Sequence, residues 1–189
     1  MYTGYHFHSD LSSGTTNIDS VTKYKQYIDR AKELGMKAFG FSEHGNIFEW
    51  YHKKCDIEAA GMKYIHACEC YVTENLTEKV RDNYHCVLIA KNFEGFKELN
   101  KLVTKSFDKN DGHFYYTPRI TFEELVNTTA NIIITTACLG GILHNAPDKL
   151  QQQFIQFLAE NRERCYLEIQ HHSDVDGEQK AYNIKLYEL

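Results

Sequence analysis

Two histidines one residue apart, His6 and His8, sit inside the opening run Tyr5-His6-Phe7-His8-Ser9. On an extended backbone side chains alternate faces with a period of two, so both imidazoles project to one side while Phe7 faces the other. Imidazole nitrogens are good donors for zinc and its neighbours, and a pair of them is an incomplete site that needs partners from elsewhere in the chain. Candidate partners recur. His44 directly follows the apolar run 38–41, Glu69 lies late in the apolar run 63–72, and Cys138 follows the β-branched run 131–136. A carboxylate in such a run requires a cation, a metal or an exposed edge. His85 opens the apolar run 85–90, which in a sheet of parallel strands would put it at the wrong end; its participation requires a reversed strand or a ligand contributed from the turn before it.

The other candidates sort by position. Period two puts Cys68 and Cys70 on the face opposite Glu69, with His66 on the cysteines' side. His52 lies beside Lys53 and Lys54 on a solvated helix face, and His113 and His144 fall in loops without an evident partner. His171 and His172 follow a strand end and are candidate substrate contacts. Arg119, at the end of a loop with the aromatic centre Phe114-Tyr115-Tyr116, could clamp a phosphate with its planar guanidinium. Cys55, Cys68, Cys70, Cys86 and Cys165 read as packing residues.

The elements that must position these groups alternate. A strand over 2–8 leads into a polar loop over 9–19; Ser20 is the expected N-cap of a helix whose apolar positions (Val21, Tyr24, Tyr27, Ile28, Ala31, Leu34) run to Gly35. Strands are expected over 38–41, 63–72, 85–90, 131–136 and 166–170. Helices are expected over 48–60, 93–107 with Asn92 as cap, 148–161, and from Gly177 onward. Thr121-Phe122-Glu123-Glu124 is a capping box opening a short helix, and 108–119 reads as a loop. Strand and helix in alternation imply an α/β fold with a mostly parallel sheet, open or closed as a barrel. No glycine-rich loop follows the first strand, which weighs against dinucleotide-binding folds. In barrels of this class function collects at the carboxyl ends of the strands, where several of the metal-type residues fall.

Length and composition set bounds. The chain of 189 residues fits one domain, large enough to bury about 70% of its unfolded surface without disulfides. Its net charge of −5 with scattered Lys and Arg is unlike the dense basic face of a stand-alone nucleic-acid binder. The six cysteines form no Cys-x-x-Cys pair, and the start lacks a charged segment followed by an apolar one, so a reducing cytoplasm is expected. No run approaches membrane-spanning length, and no membrane partner is expected.

In this order the motifs resemble the PHP (polymerase and histidinol phosphatase) family. They are His6-Phe7-His8-Ser9, Phe41-Ser42-Glu43-His44-Gly45-Asn46, Ala67-Cys68-Glu69-Cys70-Tyr71, His85-Cys86-Val87-Leu88-Ile89-Ala90-Lys91, Tyr116-Thr117-Pro118-Arg119-Ile120, Thr136-Ala137-Cys138-Leu139 and Leu167-Glu168-Ile169-Gln170-His171-His172. The last four resemble the branch found at the amino terminus of bacterial DNA polymerase III alpha subunits, where a cysteine replaces a histidine of other branches. The resemblance implies a distorted (β/α)7 TIM-like barrel and two to three divalent ions, zinc first, with manganese or iron as alternatives. The implied ligands are His6, His8, His44, Glu69, His85 and Cys138. The family also places an Asp in the loop after His-x-His; Asp19 is the choice here, with Asp10 as rival.

The family's closing Asp-x-His motif is absent, so residues 1–189 are expected to be a fragment of a longer polymerase-like chain whose last barrel strand lies outside it. The implied activity is phosphodiester hydrolysis, as in a 3′ to 5′ proofreading exonuclease acting on a DNA 3′ end, with the remaining polymerase domains and a separate proofreading subunit as partners. The competing readings are a phosphomonoesterase of the histidinol phosphatase type and a structural metal-binding module without turnover.

Overall fold

The computed structural model describes residues 2–13, 18–77, 79–171 and 177–189. Its strands are β1 (Ala38–Phe41), β2 (Lys63–Thr73), β3 (Tyr84–Ala90), β4 (Phe114–Tyr115), β5 (Thr117–Thr121), β6 (Ile132–Thr135) and β7 (Cys165–Tyr166). Its α-helices are α1 (Tyr24–Glu33), α2 (Trp50–Ala59), α3 (Phe93–Ser106), α4 (Phe122–Val126), α5 (Ile142–Asn145), α6 (Asp148–Glu160) and α7 (Glu178–Tyr187).

The sheet is organised on β2. Its first residues pair in parallel with β1, its later ones pair antiparallel with β3, and Tyr71 to Thr73 pair in parallel with β5 on the edge opposite β3. From β3 the sheet continues through β6, antiparallel, to β7, parallel to β6. The sheet is therefore mixed, not mostly parallel. The reason is the connection between β2 and β3: it is short, with no helix among its described residues, and a parallel return needs a longer crossover, usually helical.

The opening segment is extended beside β1 rather than the full strand expected over 2–8. Gly40 N donates to Gly4 O at 2.9 Å and Ser42 N to Phe7 O at 3.1 Å, with one isolated parallel bridge between Gly4 and Phe39. The first helix also begins later than expected. Ser20 Oγ accepts from Thr22 N at 3.2 Å, and the N-cap is Lys23, whose N–H donates to Gln26 Oε1 at 2.9 Å. Gly35 (φ 69°) provides the left-handed stop. Strand β7 covers Cys165 and Tyr166, so that only Tyr166 of the expected 166–170 run lies in it.

Period two divides the sheet into two faces. Cys68, Cys70 and Val72 of β2, with Cys86 and Leu88 of β3 and Ile132 and Ile134 of β6, pack with Leu99 and Val103 of α3 and Leu150 and Phe154 of α6. Burying each of the larger apolar side chains contributes about 1.5–3 kcal/mol. A second cluster joins Ile28 and Ala31 of α1 to Phe39, Phe41, Ile57 and Met62. Cys55, expected to pack, is exposed on α2. Among the described residues no helix is long and apolar enough to cross a membrane.

Candidate metal centre

The face of β2 opposite the cysteines carries Glu69, fully buried. Four histidines converge on its carboxylate. His6 Nε2 lies 3.4 Å and His85 Nδ1 3.2 Å from Oε1; His8 Nε2 lies 3.4 Å and His44 Nδ1 2.7 Å from Oε2. Three overlapping groups, His6/His8/Glu69, His8/Asp19/His44 and His44/Glu69/His85, each bring their ligand atoms within 4.8 Å of one another. Cys138 Sγ is 3.4 Å from His85 Nδ1 and 3.8 Å from Glu69 Oε1. The residues expected at the site, His6, His8, Asp19, His44, Glu69, His85 and Cys138, thus come to one place.

Each arrives by a local route. His6 and His8 come from the extended segment alongside β1. His44 follows β1 and bridges in parallel to Glu69, where Gly45 (φ 62°) turns the chain and its N–H donates to Glu69 O at 2.8 Å. His85 reaches the cluster because β3 is reversed: it stands opposite Tyr71 in the antiparallel register, so the start of β3 meets the end of β2. Gly140 seats its ring, since a Cβ there would fall 2.9 Å from His85 Nδ1. Cys138 leaves a turn in which Ala137 takes a left-handed backbone (φ 56°), a strained position of the kind held at functional sites. Asp19 Oδ1 is 3.5 Å from His44 Nε2, whereas Asp10 pairs with Lys23.

The electrostatics follow from burial and convergence. Burial disfavours an ionised Glu69, but the His44, His6 and His85 imidazoles gathered around it hold it well below the ordinary carboxylate range. Burial would likewise depress His6, yet Glu168 and Glu69 on either side lift it to about 10. Burial lowers His8 to about 4, helped by the charge of His44, whose ring stacks on it with centroids 4.0 Å apart. Burial and the charge of Glu69 push the Cys138 thiol up to about 12.

Partners missed in the sequence fix the ring orientations. Ser12 Oγ donates to Glu43 Oε2 at 2.5 Å, which leaves its lone pairs to accept from His44 N at 3.1 Å and His8 Nδ1 at 3.0 Å. Glu43 is buried and also receives Ser9 N at 2.9 Å and Lys53 Nζ at 2.5 Å. On the far side, Glu168 Oε1 is 2.5 Å from His6 Nδ1. Ser9, Glu43 and Glu168 fall within the quoted motifs, whereas Ser12 and Lys53 fall outside them, since a serine or lysine beside a strand or on a helix does not reveal which group it will touch.

This donor set fits a divalent cation. With Nδ1–H directed to Ser12, neutral His8 presents the lone pair of Nε2 to Glu69 Oε2, so an acceptor faces an acceptor. His44 Nδ1 and Glu69 Oε2 are close, yet both are buried without an aligned hydrogen-bond partner. Such orphaned atoms are costly unless something else satisfies them, and imidazole, carboxylate and thiol together match zinc or a related ion.

Arg119 is a correction. It lies in β5, not in a loop, is 1% exposed, and spends its guanidinium on Asp82 at 2.9 Å, Val80 O at 2.8 Å and Gly112 O at 3.1 Å. It has no free fork for a phosphate. His171 is exposed, and His172 lies outside the described residues.

Comparison with known proteins adds the following. The PHP domain family matches residues 4–172. The DNA polymerase III subunit alpha of Aquifex aeolicus is 36% identical over 150 residues, covering 72% of this chain and 12% of that protein. The same subunit of Borreliella burgdorferi is 32% identical over 182 residues, covering 90% of this chain and 15% of that protein. This chain thus spans only a small part of these relatives' length. Among solved structures, one described as a putative metal-dependent phosphoesterase from Bifidobacterium adolescentis superposes with a TM-score of 0.57 at 11% identity, covering 98% of this chain and 82% of that one; at that identity the likeness shows the fold alone.

Proposed function

This chain belongs to the PHP domain family, and from that premise we propose that it is a metal-dependent phosphoesterase domain that removes nucleotides from DNA 3′ ends, a proofreading 3′ to 5′ exonuclease. The observation that carries the metal-dependent reading is the meeting of His6, His8, His44 and His85 on the two oxygens of Glu69, with acceptor facing acceptor and no lysine or arginine among its described ion-pair partners. The two polymerase relatives support placing the domain in the alpha subunit of a replicative polymerase. Their greater length supports a longer chain, with 1–189 as its PHP part and the remaining polymerase domains as neighbours; a separate proofreading subunit as partner and the cytoplasm as location belong to the same proposal. The order of strands, with Glu168 behind β7 reaching back to Tyr5 and His6, supports reading the sheet as a distorted (β/α)7 barrel.

The chain's own residues have distinct parts. His6, His8, Glu69, Asp19, His44, His85 and Cys138 would hold two to three divalent ions, zinc first, with manganese or iron as alternatives. When bound, such ions supply a water acidic enough to attack phosphorus at neutral pH and charge to stabilise the displaced oxygen. Glu69, buried and ionised, is the shared carboxylate that keeps the histidines together. Ser12 and Glu168 hold Nδ1 of His8 and His6, so that Nε2 of each faces the centre. Tyr71 lies parallel to His44 at 5.8 Å and edge-on to His85 at 5.1 Å, limiting how far either ring can turn.

The test is hydrolysis by the zinc- or manganese-loaded chain of 5′-labelled single-stranded DNA with a free or a blocked 3′ end, beside a simple phosphomonoester. Stepwise shortening from the free 3′ end, abolished by chelation and by Glu69→Ala, is expected. Cleavage of the monoester alone favours the histidinol phosphatase type. Metal uptake with neither reaction, in this chain and in one extended into the following domain, leaves a structural module.

A further inference from the structure

We infer that Glu168 is a positioning residue for His6, fixing the ring's tautomer and strengthening its Nε2 as a donor; this rests on the reading of His6 as a metal ligand. The side chain of Glu168 is 8% exposed, and its contacts are complete. Oε1 faces His6 Nδ1 at 2.5 Å and accepts from Gln170 Nε2 at 2.9 Å; Oε2 accepts from Thr135 Oγ1 at 2.6 Å and Tyr5 OH at 3.1 Å. The backbone is tied down as well, with Glu168 N donating to Thr136 Oγ1 at 2.9 Å.

With its lone pairs met in this way, the carboxylate has no face left for an ion. What remains to it is to act through the imidazole. A ring whose Nδ1–H is held by a carboxylate keeps its lone pair on Nε2 and is more basic there than one held by a neutral group. His6 Nε2 is the nitrogen that faces Glu69.

The contrast with His8 sharpens the assignment. His8 also has Nδ1 engaged and Nε2 toward Glu69, but its partner is the neutral hydroxyl of Ser12. The two histidines of the opening motif, alike in sequence, are therefore unequal donors. Glu168 also stands just past β7 and contacts residues 5 and 6, so it spans the seam between the sheet's last strand and the chain's first segment. The position of His6 depends on that seam being closed.

The test is zinc affinity, measured by competition with a chromophoric chelator, for the wild-type chain, Glu168→Gln, Glu168→Ala and Thr135→Val. It is paired with the downfield imidazole N–H proton resonance of His6 in the zinc-loaded protein. Loss of the charge in Glu168→Gln should weaken zinc binding about 10-fold, and Glu168→Ala about 100-fold. The resonance should vanish in Glu168→Ala and return, shifted, in Glu168→Gln, whose amide oxygen still accepts. Thr135→Val removes a bond to the other oxygen only, and should lower the thermal midpoint while leaving zinc affinity within about two-fold. If Glu168→Gln binds zinc like wild type, or if Thr135→Val weakens binding as much as Glu168→Gln, Glu168 merely braces the fold and the inference is overturned. If Glu168→Ala does not fold, the Glu168→Gln and Thr135→Val pair decides. A wild-type chain that takes up no zinc overturns the metal reading itself, and this inference with it.

Discussion

Two clusters in this molecule are built from histidine and carboxylate, and they are satisfied in opposite ways. Around Glu69, four imidazoles surround one carboxylate, and His44 Nδ1 and Glu69 Oε2 lack aligned partners. Beyond the far end of β2, His113 lies between Asp111 at 2.6 Å and Glu124 at 3.0 Å, Lys105 pairs with Glu124, and Arg119 is bound to Asp82. Asp82 also accepts from Thr73 Oγ1 at 2.7 Å and Glu74 N at 3.2 Å. The second cluster contains its own cations, and its donors and acceptors match. The first leaves His44 Nδ1 and Glu69 Oε2 unmatched and turns the Nε2 lone pair of His8 toward a carboxylate oxygen, a state that an added cation relieves. Residue type alone would not separate them.

That contrast can be broken most directly at Glu69. Glu69→Ala should reduce metal-dependent hydrolysis at least about 1000-fold, roughly 4 kcal/mol of transition-state stabilisation, and abolish tight zinc uptake, read by assay and elemental analysis. An Arg119→Ala chain should show the opposite pattern. Breaking a buried ion pair costs about 3–5 kcal/mol because the abandoned partner stays desolvated; urea unfolding should register that loss, while zinc affinity per folded molecule stays unchanged. Equal effects on zinc from both substitutions would dissolve the distinction between the clusters.

A further histidine, His66, tests whether burial without a carboxylate behaves differently again. It contacts Tyr64 OH and Asn100 Oδ1, both at 2.8 Å, and burial lowers it to about 4 from an ordinary 6.5. The unfolded chain therefore takes up this proton first as pH falls, so His66 subtracts stability progressively between about pH 6.5 and 4, by up to about 3 kcal/mol. Denaturant midpoints across that window should fall more steeply in wild type than in His66→Gln. The smallest expected effect separates the two loop aspartates: Asp19→Asn should weaken zinc binding about 10-fold, or 1.4 kcal/mol, and Asp10→Asn should leave it unaltered. The same chelator competition measures both.

Much of this was legible in the sequence where the controlling interactions are local. The period of two that sets Glu69 against Cys68 and Cys70 holds in β2, because a strand's pleat depends only on its own backbone. Asn92 caps α3 through Gly95 N at 3.0 Å, and Thr121 caps α4 through Glu124 N at 3.1 Å. The candidate donors and their order were readable as well, since His44 and Cys138 follow short apolar runs, Glu69 lies late in one and His85 opens another. Arg119 was misread because its partners come from residues 80, 82, 112 and 113, on a connector and a loop whose path carries no periodicity.

By itself, then, the sequence determined which residues could bind a metal, the elements on which most of them ride, and the family whose motifs they match. The tertiary structure alone decided that β3 runs backwards, which brings His85 to Tyr71 and Glu69 instead of to the opposite end of the sheet. It also decided that Asp19 and not Asp10 faces His44, and that Ser12 and Glu168 hold the rings of His8 and His6. The physical reason is range. Helix, strand and cap are settled by neighbours within a few residues, whereas strand direction and the partner of a buried polar atom are settled by which distant segments can close together while leaving the fewest donors and acceptors unmet.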